Sequence, residues 1–474
     1  MSAPAAPKPD LLLAVTGAPG EGKTGLLAAL AAEQQAAGRR VEGLLALAGE
    51  RAGPREGARH YFLRILGHPD EWPWAERDES VTPPYIFEAG TKRRLQLWTE
   101  DLAGQTPAAL LVLDEFGKFE ARGEGLMPLW PKLVAAAPHI VAMSVREGCE
   151  EAIEEKLGRR FDVRIAACDP QAMEKLRQAC ADYGEWTSLG LIGGGAGGLE
   201  MTVGSLLHAT QVPARGLMMC SLQGAMMTFA GFGLVQPGRV VWVPFISAGL
   251  KALSPAGSRI RPMIAIVMQG LLYGVAVQTL GWNVFAVALG GALIGAWSAL
   301  QGFFLQYLLM GQDLFRAYDA AVLWLADKWG LAAPSLPALV GAWAAFCGLF
   351  AGSVAFAAWR LRAPPAILQK VIDREPKPAD GRAGARWVGR LRELAHWQFW
   401  LPLLLVSAIL LAAGRPWESI FWLMLRFVVV AVVLLALVSL VRPARWADRL
   451  RRLGWWGPAV AFSGAMQRRP PPSG

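Results

Sequence analysis

The chain has 474 residues, of which 54% are hydrophobic and 18% are charged, and its formal net charge is +9. Long stretches after residue 188 carry almost no charge, which excludes a protein that is soluble throughout. Residues 360–393 hold nine Lys/Arg against four acids, and the residues after Val441 hold seven Arg against one acid. The net charges of these two segments together exceed the net charge of the whole chain, so the remaining residues carry a slight negative net charge. The charge therefore favours anionic lipid headgroups as partners and indicates no nucleic-acid partner.

Cysteine and histidine usage gives no sign of a disulfide or of a zinc site. The five cysteines have no C-x-x-C spacing, and the five histidines form no cluster. We therefore expect no disulfide and no metal beyond Mg²⁺. Residues 1–10 are rich in Pro and Ala and lack a signal-peptide pattern, so they are expected to be a disordered N-terminus.

A phosphate-binding loop opens the first predicted domain, residues 11–185. Leu11 to Val15 form an apolar run typical of a buried strand, and Gly25 to Ala37 have helical periodicity. Between them, Gly17 to Thr24 read Gly-Ala-Pro-Gly-Glu-Gly-Lys-Thr. This order predicts a nucleoside-triphosphate site, because glycines let loop N–H groups point at phosphate and the lysine neutralises phosphate charge. The predicted nucleotide contacts are Gly17, Gly20, Gly22, Lys23, Thr24 and Gly25, with the Thr24 hydroxyl also a predicted Mg²⁺ ligand.

Two further predicted strands end in charged residues. Ala108 to Leu113 is continuously apolar, as a central parallel strand should be, and Asp114 and Glu115 follow it. Asp114 is predicted to bind Mg²⁺, directly or through water, and Glu115 to orient or deprotonate the attacking water. Ile140 to Val145 leads to Arg146, which either senses the γ-phosphate or is a solvated arginine at a strand end. The candidate catalytic residues are Glu115, Lys23 and Arg146.

These motifs resemble the small P-loop nucleoside-triphosphatases typified by the cancer-related nucleoside-triphosphatase, over about residues 9–185. Besides the loop, the resemblance is carried by Val41-Glu42-Gly43-Leu44-Leu45. It is also carried by Leu113-Asp114-Glu115-Phe116-Gly117-Lys118-Phe119-Glu120, which is similar to the family's aspartate-glutamate-x-glycine-x-x-glutamate signature. It implies an α/β domain with a mostly parallel sheet that slowly hydrolyses several nucleoside triphosphates to NDP and phosphate, and we expect ATP or GTP as the substrate. Phe116 and Phe119 are bulkier and more aromatic than the residues expected at these positions of the signature. The nucleotide preference is therefore open.

From about Ser188 the sequence predicts an all-α polytopic membrane domain of about eight helices. A six-helix bundle over 186–360 is followed by a basic cytoplasmic linker, 361–395, a two-helix hairpin, 396–441, and a basic amphipathic tail, 442–474. Eight crossings place both termini in the cytoplasm, which agrees with the positive-inside rule for a protein of the inner (plasma) membrane. The candidate spans are Ser188 to Leu207, Gly216 to Leu234, Val240 to Leu253, Met263 to Leu280, Val284 to Met310, Leu336 to Trp359, Trp397 to Ala413 and Ser419 to Val441.

Four ionisable residues in these spans are candidate membrane-site residues. Glu200 and His208 lie two turns apart on one side of the glycine-rich first span. Glu200 either contacts a substrate or is hydrogen-bonded inside the bundle. Lys251 either contributes to an anion pocket at the outer face or extends to the interface, and Arg426 either extends outward or pairs with Glu200.

The six-span bundle resembles the substrate-binding (S) components of energy-coupling-factor vitamin transporters. Its span count and glycine placement, with Leu206-Leu207-His208-Ala209 and Lys251-Ala252-Leu253-Ser254-Pro255, carry the resemblance. The last two spans and Arg442 to Leu453 resemble part of the transmembrane coupling (T) component. The resemblance implies uptake of a small vitamin-type nutrient with energy-coupling-factor ATPase subunits as partners. The alternative is a membrane-anchored nucleoside-triphosphatase or signalling switch that self-associates and has no transport role.

Overall fold

The computed structural model describes residues 9–49, 59–77, 85–209, 214–251, 260–329, 335–365, 397–412, 414–439 and 446–467. The chain separates into two compact units. The α/β unit comprises the residues up to Gly184 together with Leu450–Val460, and the helical unit comprises Glu185–Arg449 and Ala461–Arg469. The predicted disordered N-terminus and most of the basic linker lie outside the described residues.

The α/β unit contains one eight-stranded sheet, in the order β5-β4-β3-β2-β6-β7-β1-β8. The five strands from β2 to β8 in this order pair in parallel, whereas β3, β4 and β5 extend the sheet with antiparallel pairings. This confirms the predicted α/β class with a mostly parallel sheet. The strands are β1 Leu11–Gly17, β2 Val41–Gly49, β3 Arg59–Ile65, β4 Glu71–Arg77, β5 Tyr85–Phe87, β6 Leu110–Phe116, β7 Ile140–Arg146 and β8 Val163–Ala166.

The central strands β1, β6 and β7 are continuous apolar runs because both of their faces are covered. Leu11 to Val15 are fully buried, as are most residues of β6 and β7. The predicted strands at these positions are confirmed. Helices cover the sheet and supply the rest of the core, including Leu27 and Leu30 of the first helix. The helices of this unit are α1 Lys23–Ala36, α2 Ala89–Ala103, α3 Lys118–Arg122, α4 Trp130–Ala135, α5 Glu150–Leu157 and the first part of α6, Ala172–Ala209.

A short segment from the far end of the chain completes the α/β unit. Leu450 is buried, and the Arg451 side chain donates a hydrogen bond from Nη2 to the carbonyl oxygen of Asp10, at 2.9 Å. Arg159 donates to the same carbonyl at 3.3 Å. The predicted cytoplasmic tail therefore contributes to the folded α/β unit, because Arg451 satisfies a backbone carbonyl just before β1.

The helical unit continues α6 and adds helices over all eight predicted spans. Three helical segments are long and apolar enough to cross a membrane, namely Pro262–Leu280, Val284–Leu308 and Leu336–Leu361. The chain therefore associates with a membrane, whereas eight crossings and the orientation of the termini stay predictions. The further helices of the chain are α7 Arg215–Phe232, α8 Trp242–Lys251, α9 Ile260–Leu280, α10 Val284–Met310, α11 Asp313–Trp329, α12 Leu336–Leu361, α13 Trp397–Ala412, α14 Trp417–Ser439, α15 Trp446–Arg452 and α16 Trp456–Gln467. Parts of α15 and α16 belong to the α/β unit.

Glycines set the close packing of α6 in the helical unit. A Cβ atom on Gly194 would lie 3.5 Å from Ala465 of α16, and one on Gly190 would collide with the backbone of Ala461. On another side of α6, a Cβ on Gly193 would lie 2.8 Å from Ile246 of α8. The glycine spacing predicted close approach of a second helix, and α6 makes such contacts on two sides.

Candidate functional site

The Gly17–Thr24 loop joins β1 to α1 at the carboxyl edge of the parallel strands. Gly20 and Gly22 have φ values of 87° and 85°, a left-handed backbone that favours glycine. The Lys23 ammonium donates hydrogen bonds to the carbonyl oxygens of Gly17 and Ala18, at 2.8 and 2.7 Å. An ammonium has three N–H donors, so these two bonds fix the direction of the third. The loop thus holds a cation at the N-terminus of α1, where anions are favoured.

Glu21 supports the loop from within, a role that the sequence motif did not indicate. Its Oε2 atom accepts a hydrogen bond from the Ala18 N–H at 2.8 Å. A Cβ on Gly17 would collide with this carboxylate oxygen and lie 3.3 Å from the Ala167 side chain. Only a glycine fits at the end of β1 while Glu21 keeps this contact. Thr24 and Gly25 follow in the first turn of α1, with Thr24 half-buried and Gly25 exposed.

Asp114 follows the apolar run of β6 and is 1% exposed. Its Oδ2 accepts from the Ala46 N–H of β2 at 3.1 Å, and its Oδ1 accepts from the Glu115 N–H at 3.0 Å. The Ser144 hydroxyl of β7 also donates to Oδ1 and accepts from the Glu115 N–H at 2.9 Å. Donors from three neighbouring strands therefore fix this carboxylate, and charge-assisted bonds of this kind are the stronger ones.

Glu115 has a strained backbone, with φ at 70° although it is not a glycine. The side chain reaches solvent, yet the protein around it raises the pKa of the carboxyl above its usual range. Desolvation has the largest effect, followed by repulsion from Asp114 and Glu120, while Lys23 and Arg146 act in the opposite direction. A raised pKa near a fixed cation is a property of catalytic carboxylates.

Arg146 ends β7 directly beside the loop. In the parallel pairing of β1 with β7, its register partner is Gly17. A Cβ on Gly117 would lie 3.8 Å from the Arg146 side chain, which places Arg146 next to the chain that follows Glu115. Strand β7 lies between β1 and β6, so its end brings Arg146 and Ser144 between the loop and the two acids. The structure thus gathers Lys23, Asp114, Glu115 and Arg146 at one edge of the sheet.

Glu120 fixes the turn after Glu115. Its carboxylate is buried and accepts from the Gly117 N–H at 2.9 Å and from the Leu126 N–H at 3.1 Å. Desolvation nevertheless raises the pKa of this carboxyl, since burial outweighs the hydrogen bonds from backbone N–H groups. The two aromatic residues that depart from the signature lie in different surroundings. Phe116 is buried in β6, whereas Phe119 packs against Tyr85.

Oxygen atoms of Thr24 and Asp114 are the candidate ligands for Mg²⁺. A hydroxyl and a carboxylate are hard donors, and Mg²⁺ commonly takes one or two protein ligands and completes its shell with phosphate and water. The hydrogen bonds to Asp114 fix its oxygens in direction, which suits a role through direct or water-mediated contact. This donor set fits the metal. Within the described residues, no group of three or more His, Cys, Asp or Glu side chains is placed to hold a metal ion.

The structure brings together two of the four membrane candidates. The Lys251 ammonium, in a residue that is 5% exposed, donates to the carbonyl oxygen of Glu200 at 2.9 Å. Arg426 is exposed and its guanidinium lies against Gly311, so it contacts the end of α10. His208 lies in α6, but its side chain falls outside the described residues.

Two buried polar residues of the helical unit were missed in the sequence analysis. Ser247, one turn before Lys251 on α8, is fully buried, and its hydroxyl has no hydrogen-bond partner in the described part of the chain. The same holds for the Nε2 atom of Gln223 on α7, which is 4% exposed. Neither residue belongs to a motif. Their signal was only that each is a polar residue within an apolar span.

Comparison with known proteins adds one finding. Residues 12–159 match the model of a family described as a protein of unknown function, DUF2478. The matched range contains the loop, Asp114, Glu115 and Arg146. No curated protein and no solved structure matches the chain. The match names no activity, so the resemblances to nucleoside-triphosphatases and to energy-coupling-factor transporters stay predictions.

Proposed function

We propose that the α/β unit binds a nucleoside triphosphate, ATP or GTP, in the Gly17–Thr24 loop and hydrolyses it to NDP and phosphate. The observation that supports this most is the arrangement of Lys23. Two loop carbonyls hold its ammonium at 2.7 and 2.8 Å, at the N-terminus of α1. This cation and the helix end together favour a polyphosphate.

The carboxylates supply the rest of the chemistry. Glu115 accepts a proton from the attacking water while the oxygen of that water bonds to the γ-phosphorus. The bond from that phosphorus to the bridging oxygen breaks, and NDP leaves with the electron pair. Lys23 and Arg146 neutralise the charge that develops on the phosphoryl oxygens. Mg²⁺, held by Thr24 and Asp114 when bound, shields phosphate charge.

Nucleotide binding by the purified full-length protein tests the first part of this proposal. We expect a fluorescent ATP analogue to bind with Mg²⁺, and Lys23→Ala to weaken its affinity by about 100-fold or more, since a desolvated charge pair is lost. The matched control is Lys132→Ala, which removes an exposed lysine that pairs with Glu100 on the same unit. Equal affinity of wild type and Lys23→Ala would contradict the assignment of the loop.

We further propose that the helical unit crosses the inner membrane about eight times with both termini in the cytoplasm, and that it serves uptake of a small vitamin-type nutrient. The buried Lys251, the fully buried Ser247 one turn before it on α8 and the buried Gln223 on α7 support a transport role over simple anchoring. Anchoring does not require buried polar groups without partners, which are costly in an apolar bundle.

Native mass spectrometry of the protein extracted from its own membrane in mild detergent separates transport from anchoring. Recovery of energy-coupling-factor ATPase subunits, or of a retained vitamin-like ligand, is the result expected for transport. Recovery as a single chain or a homo-oligomer that carries nucleotide alone would favour the membrane-anchored nucleoside-triphosphatase or signalling switch.

A further inference from the structure

The carboxylate of Glu200 on α6 has no partner in the described part of the chain. The hydrogen bond that reaches this residue from another helix goes to its backbone carbonyl and leaves both carboxylate oxygens unpaired. The residue is half-buried within an apolar span. A carboxylate in such a place is costly unless a counter-charge or a donor meets it. Of the two interpretations of Glu200 from the sequence, contact with a ligand is therefore favoured.

The Lys251 ammonium on α8 lies at the same level of α6 but does not pair with this carboxylate. It donates to the Glu200 carbonyl oxygen at 2.9 Å and forms no ion pair with another described residue. An ammonium has three N–H donors, so two of them stay available. A cation and an anion thus lie at one place between α6 and α8 and remain separate.

Ser247 adds an unpaired hydroxyl to the same contact between α6 and α8. A Cβ atom on Gly197, about one turn before Glu200, would lie 3.4 Å from the Ser247 Cα atom. Ser247 is fully buried, and its hydroxyl has no hydrogen-bond partner in the region that the structure describes. Since Ser247 lies one turn before Lys251 on α8, the hydroxyl and the ammonium belong to neighbouring turns.

Helix α7 meets α6 on the side of the Glu200 carboxylate. A Cβ atom on Gly204 would lie 3.1 Å from the Glu200 Oε2 atom and 3.6 Å from the terminal carbon of Met219 on α7. Gln223 follows Met219 by four residues and so lies on the same face of α7. It is buried, and its Nε2 atom has no partner among the described residues. This face of α7 therefore offers a further N–H donor.

We propose that these groups form a binding site for a small zwitterionic molecule, one that carries an acid group and a protonated amine. The acid group accepts from the two available N–H groups of Lys251 and from the Ser247 hydroxyl, and the amine donates to the Glu200 carboxylate. A ligand with a single charge would leave one protein charge unpaired in an apolar bundle. The inference rests on the proposed uptake function and narrows its substrate to this chemical class.

The first measurement identifies the small molecules that the full-length protein retains when it is extracted from its own membrane in mild detergent. We expect native mass spectrometry of wild type to show a molecule with both an acid group and an amine. Lys251→Met and Glu200→Gln should each lower its occupancy about tenfold or more, because each variant loses a hydrogen bond to a charged group. Lys328→Met, which removes an exposed lysine of α11, is the matched control and should retain the molecule as wild type does.

A second measurement needs no variant and uses glycine, the smallest molecule that carries both groups. At low millimolar concentration glycine should raise the midpoint of thermal unfolding of wild type in a saturable way, since a ligand stabilises the state that binds it. Glycinamide lacks the acid group and N-acetylglycine lacks the amine. Both should leave the midpoint unchanged, because each meets one of the two protein charges and leaves the other unpaired.

A retained molecule that lacks either charge would overturn the zwitterion site, as would equal retention by wild type and both variants. A retained neutral nutrient would do so while leaving the proposed uptake in place. Recovery with nucleotide alone, together with a midpoint that glycine does not move, would remove the uptake function as well.

Discussion

Asp114 in the α/β unit and Lys251 in the helical unit are both almost fully buried charged residues, at 1% and 5% exposure, but they are held differently. Asp114 accepts hydrogen bonds from three strands. Lys251 donates to a backbone carbonyl, and the hydroxyl of Ser247, one turn before it on α8, has no hydrogen-bond partner in the described residues. A complete network fixes one geometry, as catalysis requires, whereas an incomplete one suits a partner from outside the chain.

The largest effect on hydrolysis is expected from removing the charge of Asp114. Asp114→Asn keeps the shape of the side chain but places an amide group where Ala46, Glu115 and Ser144 donate. We expect phosphate release to fall about 100-fold or more, because Mg²⁺ binding and the fixed geometry are both lost. Steady-state phosphate release at several Mg²⁺ concentrations measures this. A rate within a few-fold of wild type would show that the buried carboxylate is structural.

A smaller effect is expected at Ser144, which joins the two acids. Ser144→Ala removes the hydroxyl that donates to Asp114 and accepts from the Glu115 N–H. The loss should cost about 1–3 kcal/mol of transition-state stabilisation, since the buried Asp114 carboxylate loses a donor and the Glu115 N–H keeps only its bond to Asp114, and should lower kcat about tenfold or more. Ser144→Thr, which keeps a hydroxyl, should retain more activity. Equal rates for the two variants would contradict the bridging role.

Arg146 is expected to affect pH dependence. Arg146 lowers the pKa of Glu115, so Arg146→Ala should raise that pKa further and move the acidic limb of the kcat profile to higher pH. The base acts in its ionised form, which is why the limb moves up. The measurement is phosphate release across pH, with Arg164→Ala as control because Arg164 pairs with Glu154. An unmoved limb would identify Arg146 as a solvated arginine.

The helical unit supplies the prediction with the smallest effect on hydrolysis. Lys251→Ala removes the donor to the Glu200 carbonyl and should lower the stability of the helical unit by about 1–3 kcal/mol. A lower midpoint of thermal unfolding in detergent would show this, while phosphate release stays at wild type. Lys328→Ala, at an exposed position on α11, is the control. An unchanged midpoint would mean that the buried ammonium adds no stability.

The sequence predicted the part of the site that lies in continuous motifs. Gly17 to Thr24 and Asp114-Glu115 each follow an apolar run, and a run of this kind in a parallel sheet ends at the carboxyl edge, where ligands bind. Ser144 was missed because it lies within the apolar run of β7 and looks like a tolerated polar residue.

Contacts between residues far apart in the chain could also not be predicted from the sequence. Arg451 reaches Asp10 across 441 residues, and the amphipathic pattern around Arg451 equally suits a helix lying on lipid. Hydropathy alone also does not fix the number of crossings. Hydropathy identifies apolar helices, and three helical segments meet the length and composition of a span, but α8 has 10 residues, which is shorter than a bilayer requires.

The most direct test of the central claim compares Glu115→Gln with wild type, measuring nucleotide affinity and phosphate release on the same preparations. We predict that Glu115→Gln binds MgATP at least as tightly as wild type, because a negative charge near the γ-phosphate is removed, and that its phosphate release falls about 100-fold or more. Phosphate release at the wild-type rate by Glu115→Gln would contradict the assignment of Glu115 as the base.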